Sequence, residues 1–411
     1  MQMLFTDFLC WRGPELQRNL PSYFEADHKW LEGMTLAAQQ LGLEVQYCMA
    51  CGHQAMDSLR WPAVTNMRAN GDGGLDVPSL AFSSLLQGAL GLGFSKDNLR
   101  LSNCSVPPCH GAYSHYQGSA QLQTLLAALS LGPVGLADQL TGHPSLGVDV
   151  NTNVTLARST SSSAGYLLQP SFPLTPIDPC IAAEEGLSPT TGNVWATFTA
   201  VSGAVWYTIV GWGWDGSTQQ HSSAQQAPPP PPPPLAEYTV LPEHLLSMVD
   251  ANVSAISGDF SAVPRGGFIG SGGTQMPSQY VAWDVHSASA MPFSGEHGAV
   301  VQLRNHMPHQ VNIAPVVGGV ALLGEKGKAA VVSTYRFSSV VHGGVGMLAA
   351  TTAAGVRVSI RGEANESVEL LYACAAAGFK VQSKFVVLGS TGVLTVALPP
   401  AKATKGSDTD R

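Results

Sequence analysis

Apolar and polar positions follow two different rhythms along this chain. Up to residue 164, short apolar runs alternate with helix-length amphipathic stretches. Met3–Phe5, Val45–Met49 and Ala63–Met67 read as strands, Gly132–Asp138 as a strand ending in an acid, and Asn98–Leu101 as a weaker strand. Asp27 suits the N-cap of a helix running to about Leu41. Trp30, Met34, Ala37, Ala38 and Leu41 fall at helical spacing in it, and Gly42 ends it. Further helices are expected at His53–Leu59, at Pro78–Leu92 with proline in the first turn, and at Gly118–Leu131 with Leu122, Leu125, Leu126 and Leu129 on one face. Strand and helix in alternation imply a parallel α/β sheet.

From about Asn193 the period drops to two. NVWATFTAVSGAVWYTIVGWGW, YVAWDVH, GVRVSI, SVELLYAC, KFVVLG and GVLTVALP are rich in β-formers and separated by glycine turns, the texture of an antiparallel sandwich. The stretch 217–235 interrupts it with Gln/Ser tracts and the proline run Pro228–Pro234. Such a run forms a polyproline II rod, serving either as a solvated spacer or as a dock for an SH3- or WW-like partner. The expected organisation is an α/β part at 1–164, a linker at 165–192, a β-sandwich at 193–400 and a polar, disordered tail at 401–411.

Length and composition narrow the function. With 411 residues, 45% of them hydrophobic, the chain can build two cores. A net charge of −8 with no basic stripe argues against a nucleic-acid surface. No apolar run reaches the roughly 18 residues of a transmembrane helix, and the N-terminus lacks the basic start of a signal peptide. Neither membrane nor nucleic acid is expected as a partner, and the compartment stays open, with cytoplasm or plastid the expectation. Seven cysteines are too few, and odd in number, for a disulfide scaffold. Cys48 and Cys51 form a CxxC, but Cys104 and Cys109 do not supply a matching second pair, so structural thiols are expected and neither metal nor cofactor.

Candidate chemistry lies where a parallel fold puts it, at the carboxyl ends of strands. Asp7 follows the first strand, and Asp72 sits in the Asn-Gly-Asp-Gly-Gly loop after the third. Two carboxylates about 5–5.5 Å apart are what a retaining glycosidase needs, one as nucleophile and one as acid/base. A cap at Asp7 and plain turn chemistry at Asp72 would produce the same residues. Arg68 can pair with a carboxylate or a sugar hydroxyl, and Asp138 can bond a hydroxyl or cap a helix. Trp11, Tyr47 and His53 stand near strand ends, where aromatic faces suit sugar rings or simply pack a core.

The words QYCMA, PAVTNMRANGDGG and LLAALSLGPVGLAD, in that order, resemble family-36-like glycoside hydrolases: raffinose synthases, seed-imbibition proteins and alkaline α-galactosidases. TPIDPC, WDVHSASAMPF, VNIAPVVGGVALLGEKG and GVRVSIRG extend the resemblance through the rest of the chain outside the proline insert. It implies a (β/α)8 TIM barrel followed by a β-sandwich, and retaining hydrolysis or transfer of α-galactosyl groups in carbohydrate metabolism. It also implies that the strand before Asp7 is the nucleophile strand, the fourth, and that Cys48 lies in the sugar site. About five strand–helix units fit residues 1–164, against ~250 residues for a full barrel, so the chain is expected to cover roughly strands four to eight, with the first part of the barrel missing. One departure stands out. The family has Ser-Asp-Asp where this chain has Asn70-Gly71-Asp72. If the first aspartate is the acid/base, Gly71 replaces it, and the alternative is a catalytically impaired carbohydrate-binding homologue.

Overall fold

The computed structural model describes residues 3–6, 23–69, 77–96, 119–135, 150–177, 193–213, 236–245, 279–304, 307–342 and 355–398. Asp7, Trp11, Gly71, Asp72, Asp138, Asn98–Leu101, the proline run Pro228–Pro234 and the tail from 401 lie outside them.

Four strands, β1 (Met3–Thr6), β2 (Glu44–Tyr47), β3 (Val64–Arg68) and β4 (Gly93–Ser95), pair in that order as a parallel sheet. A parallel bridge from Phe94 to Leu131 adds one more rung. The connections carry α1 (Tyr23–Gln40), α2 (Gly52–Asp57) and α3 (Val77–Ala89); α4 (Ala120–Ala128) precedes the bridge and α5 (Val150–Ser159) follows it. The fold is thus mixed α/β plus β. The parallel sheet is open among the described residues, which do not form a closed barrel. Of the expected strand at Gly132–Asp138, the described part contributes no strand, only the bridge at neighbouring Leu131. The strand after α3 is Gly93–Ser95, just ahead of the Asn98–Leu101 candidate.

The first helix corrects two expectations. Asp27 does not cap it: α1 begins at Tyr23 and Asp27 lies inside. The buried face carries Leu31, Thr35 and Ala38, whereas Trp30 is 54% and Leu41 72% exposed. Adjacent apolar pairs (Trp30-Leu31, Ala37-Ala38) permit two stripes about one position apart, and only contact with the sheet selects between them. Gly42 does end the helix, with φ at 65° and Leu43 N–H donating to Ala38 O at 2.9 Å. In α4 every side chain from Leu122 to Ala128 is buried, so it is a core helix rather than a one-faced one.

The long hairpin β6 (Asn193–Val201) and β7 (Ala204–Trp212) turns through Ser202 and Gly203, both at positive φ, which matches the right-handed twist of the strands. β12 (His309–Val317) pairs antiparallel with β7 on one side and with β9 (Tyr280–Asp284) on the other, and β10 (Ala290–Phe293) adds to β9. The hairpin into β13 (Val320–Glu325) carries the sheet on to β16 (Ser367–Cys374) and β17 (Val381–Val387). A separate three-stranded sheet, β14 (Phe337–His342), β15 (Val356–Arg361) and β18 (Val393–Leu398), shares one core with β13 and β16 through Phe337, Val358, Ile360, Leu322 and Leu370. The two-stranded β8 (Ala236–Val240) and β11 (Ala299–Leu303) cover a second core on β6, β7 and β12. Two layers of strands over a shared core follow from period-2 burial.

The stretch 165–192, expected as a linker, is part of the fold over its described residues. β5 (Thr175–Pro176) pairs with β6, and Leu168, Phe172, Leu174 and Ile177 are buried. This segment joins the two parts. Leu174 N–H donates to Leu129 O at 2.9 Å, and Phe94 meets Trp195 edge-on at 6.5 Å between ring centroids. No helix among the described residues is long and apolar enough to cross a membrane.

Candidate functional site

The strand registers divide the parallel sheet into two faces. Gln46 lies opposite Asn66, and Arg68 opposite Ser95, so these four share one face with side chains alternating along each strand. Val45, Tyr47 and Met67 share the other, packed in one core with Leu31 and Ala38 of α1. The helix-facing side is apolar, and the side away from α1 carries amides, a hydroxyl and a guanidinium. All are buried, and so are Lys96 just past β4 and Gln87 on α3.

The polar face is tied together at its carboxyl end. Arg68 Nη1 donates to Cys48 Sγ at 3.3 Å, joining the ends of β2 and β3. Gln46 Nε2 donates to Ser95 Oγ at 3.1 Å across the intervening strand, and Gln87 Nε2 donates to Arg68 O at 3.3 Å. Ala69 N–H donates to Ser95 O at 3.0 Å, prolonging the β3–β4 ladder past Arg68. Arg68 and Lys96 bring two buried basic side chains to this end of the sheet.

Of the residues expected at the site, Arg68 and Cys48 are brought into contact. Tyr47 and His53 go elsewhere, to the packing between α1 and α2. His53 Nε2 lies 2.9 Å from Asp27 Oδ2, and Gln54 Nε2 donates to both oxygens of the same carboxylate at 3.3 and 3.1 Å. Beside them His28 Nδ1 lies 3.3 Å from Asp57 Oδ2 and His28 Nε2 lies 3.3 Å from Arg60 Nη1. Arginine can only donate, so Nε2 of this His28 accepts and Nδ1 carries the proton toward Asp57. Tyr47 is fully buried; burial first, then the carboxylates of Asp57 and Asp27, push its phenol well above the ordinary range.

No protein-family model matches this chain, and no curated protein matches it.

Cys48 and Cys51 of the CxxC are not bonded to each other, and Cys51 departs from the expectation of a plain thiol. Cys48 is a buried thiol in contact with Arg68, whereas Cys51 is engaged in a disulfide. Among the described residues no group of His, Cys, Asp and Glu is arranged to hold a metal ion. Gln46, Ser95, Lys96 and Gln87 were not singled out in the sequence. The signal for Gln46 was present: an amide between the apolar Val45 and Tyr47 of a strand in an α/β pattern. For Ser95 and Lys96 it was hidden, because β4 is only three residues long and its apolar run is correspondingly weak.

Proposed function

We propose that the chain belongs to the glycoside hydrolase group that it resembles, with a (β/α)8-type catalytic part, and acts on α-galactosyl groups of oligosaccharides of the raffinose type by a retaining mechanism. The observation that carries this reading is the contact of Cys48 with Arg68 at adjacent strand ends, on the polar side of a parallel sheet. Those two residues come from the two words, QYCMA and NMRANGDGG, on which the resemblance rests.

In this reading Asp7, the residue next after β1, attacks the anomeric carbon and expels the leaving sugar. Asp72 gives the leaving oxygen its proton and then activates water, or a sugar hydroxyl in transfer, to release the galactosyl group. Arg68 holds a carboxylate or a sugar hydroxyl beside the reacting centre, and Asp138 and Trp11 belong to the same sugar site. The test is turnover of p-nitrophenyl α-galactoside and raffinose by the purified chain and by its Asp7→Asn variant. Activity that survives in the variant removes Asp7 from the mechanism.

Gly71 favours a second reading. If the acid/base position is the one that glycine occupies, proton donation is lost, a help worth ~10²–10⁴ in rate. The protein then binds sugar without turnover, and raffinose binding measured by calorimetry, with no product released, is its signature. A dock for an SH3- or WW-like partner at Pro228–Pro234 is a separate proposal; deleting that run must abolish capture of such a domain for it to stand.

A further inference from the structure

Tyr166 is 55% exposed, yet its ring is packed against another aromatic side chain. Its ring lies nearly flat against Tyr335, with centroids 5.0 Å apart and planes 21° from parallel. The Arg361 guanidinium sits over the Tyr335 ring, 5.4 Å from its centroid. Arg361 is fixed in turn, donating through Nη2 to Thr334 O at 2.8 Å and through Nε to Tyr335 O.

The turn that presents Tyr166 is anchored from beneath. Ser162 N–H donates to Tyr166 O at 2.8 Å, and Tyr166 N–H donates to Ser162 Oγ at 3.2 Å. Ser163 N–H donates to Glu366 Oε1 at 3.1 Å, and that carboxylate is locked onto the buried Arg336. The exposed Glu363 is pinned by its own N–H to Glu366 Oε2 at 3.0 Å. Burial first, then the Glu363 carboxylate and the Tyr166 phenol, raise the pKa of the Tyr335 phenol, and a hydrogen bond with Ser162 lowers it. The result is an exposed tyrosine ring backed by a second ring and a guanidinium.

A scattered exposed apolar side chain needs no explanation, but this one is stacked on a second tyrosine and presented by a hydrogen-bonded turn. A pyranose has the complementary form: a C–H face that rests on an aromatic ring, and hydroxyls around its edge for acceptors and phenols. Tyrosine supplies such contact at small entropic cost, because it has few rotatable bonds. We infer that the Tyr166–Tyr335 shelf is a second carbohydrate-binding site, on the β-sandwich, which holds one sugar ring of an oligosaccharide or polysaccharide. The choice of sugar as ligand rests on the reading given under Proposed function; the site itself shares no residue with the strand ends of the parallel sheet.

The experiment is affinity electrophoresis of the full chain in native gels containing galactomannan, with thermal melts as a folding control and p-nitrophenyl α-galactoside turnover measured in parallel. Wild type and Asp7→Asn should be retarded alike. Tyr166→Ala should lose affinity by about two- to tenfold while melting and turning over as wild type does. Tyr166→Trp, which keeps an aromatic face, should retain it. Retardation of Tyr166→Ala equal to wild type, or no retardation of wild type, overturns the shelf. Retardation that depends on Tyr166 in a protein without turnover sustains the shelf and sinks the enzymatic reading; turnover without retardation does the reverse.

Discussion

Glu366 grips Arg336 with both carboxylate oxygens, Oε2 accepting from Nη1 at 2.8 Å and Oε1 from Nη2 at 2.7 Å. Glu325 completes the cluster by accepting from Arg336 Nε at 2.7 Å, and the guanidinium is fully buried. Arg336 Nη1 also donates to Arg361 O at 3.0 Å, so one side chain fastens the end of β13, the end of β15 and, through Glu366, the turn at Ser163. Arg336→Met should therefore destabilise the chain by ~3–5 kcal/mol, because it leaves two buried carboxylates without their cation. Adding Glu325→Gln and Glu366→Gln should recover part of that loss. Urea denaturation measures both, and a loss below ~1 kcal/mol would show that the cluster is solvated and unimportant.

The same carboxylate predicts an acid limb. Burial pushes the Glu366 carboxyl up, but the hydrogen bonds from Arg336 and from the Ser163 and Glu363 N–H groups outweigh it and hold the pKa at about 2. A depressed folded value contributes stability that is fully present above the unfolded value of 4.5 and is lost as pH falls toward about 2. Glu325 works in the opposite sense. Its burial, offset in part by Arg336 and Lys328, raises its pKa, so its contribution is present at low pH and is lost as pH rises through the raised value. Urea midpoints followed from pH ~5 to ~2 should fall more steeply for wild type than for Glu366→Gln. Parallel curves would contradict the assignment.

Two glycines make a matched pair. Gly324 has φ at +126°, and a Cβ there would lie 2.3 Å from Val331 O, which is backbone and cannot swing aside. Gly319 has φ at +76° with nothing within 4 Å. Gly319→Ala should cost ~1–2 kcal/mol, the left-handed penalty alone. Gly324→Ala adds a collision inside the β13 bulge and should cost more than ~3 kcal/mol. Equal melting temperatures for the two variants would mean that Val331 moves freely.

Arg68 is the side chain through which the proposed chemistry is most open to challenge. A lysine keeps the charge but cannot reproduce the planar guanidinium that meets Cys48. Arg68→Lys should lower turnover of p-nitrophenyl α-galactoside by ~10²-fold through misplacement of the reacting groups. Cys48→Ser, which keeps a small acceptor, should lower it less. Arg68→Lys with unaltered kcat and KM would take the β3 strand end out of the reaction.

Much of the secondary structure was legible in the sequence because it depends on nearest neighbours. Alternation in NVWATFTAVSGAVWYTIVGW, with Ser-Gly between, is sufficient for the β6–β7 hairpin, and Gly42 is sufficient to stop α1. The short apolar runs at β2 and β3 were likewise readable, as was the run containing β1. Choosing the buried stripe of α1 was beyond it. Trp30-Leu31 and Ala37-Ala38 offer two rotations of one helix, and the sheet beneath decides between them.

Local pattern therefore determined that this chain alternates strand and helix first and pairs antiparallel strands afterwards, because propensity, turn chemistry and hydrophobic period act over a few residues. Tertiary structure alone decided which polar groups meet. Cys48 and Arg68 are 20 residues apart and Arg336 and Glu366 are 30 apart, each pair joined only because strands from different hairpins or crossovers are laid side by side. Buried charge is tolerated only where a partner arrives at hydrogen-bonding distance, and that arrival depends on packing, which no short stretch of sequence encodes.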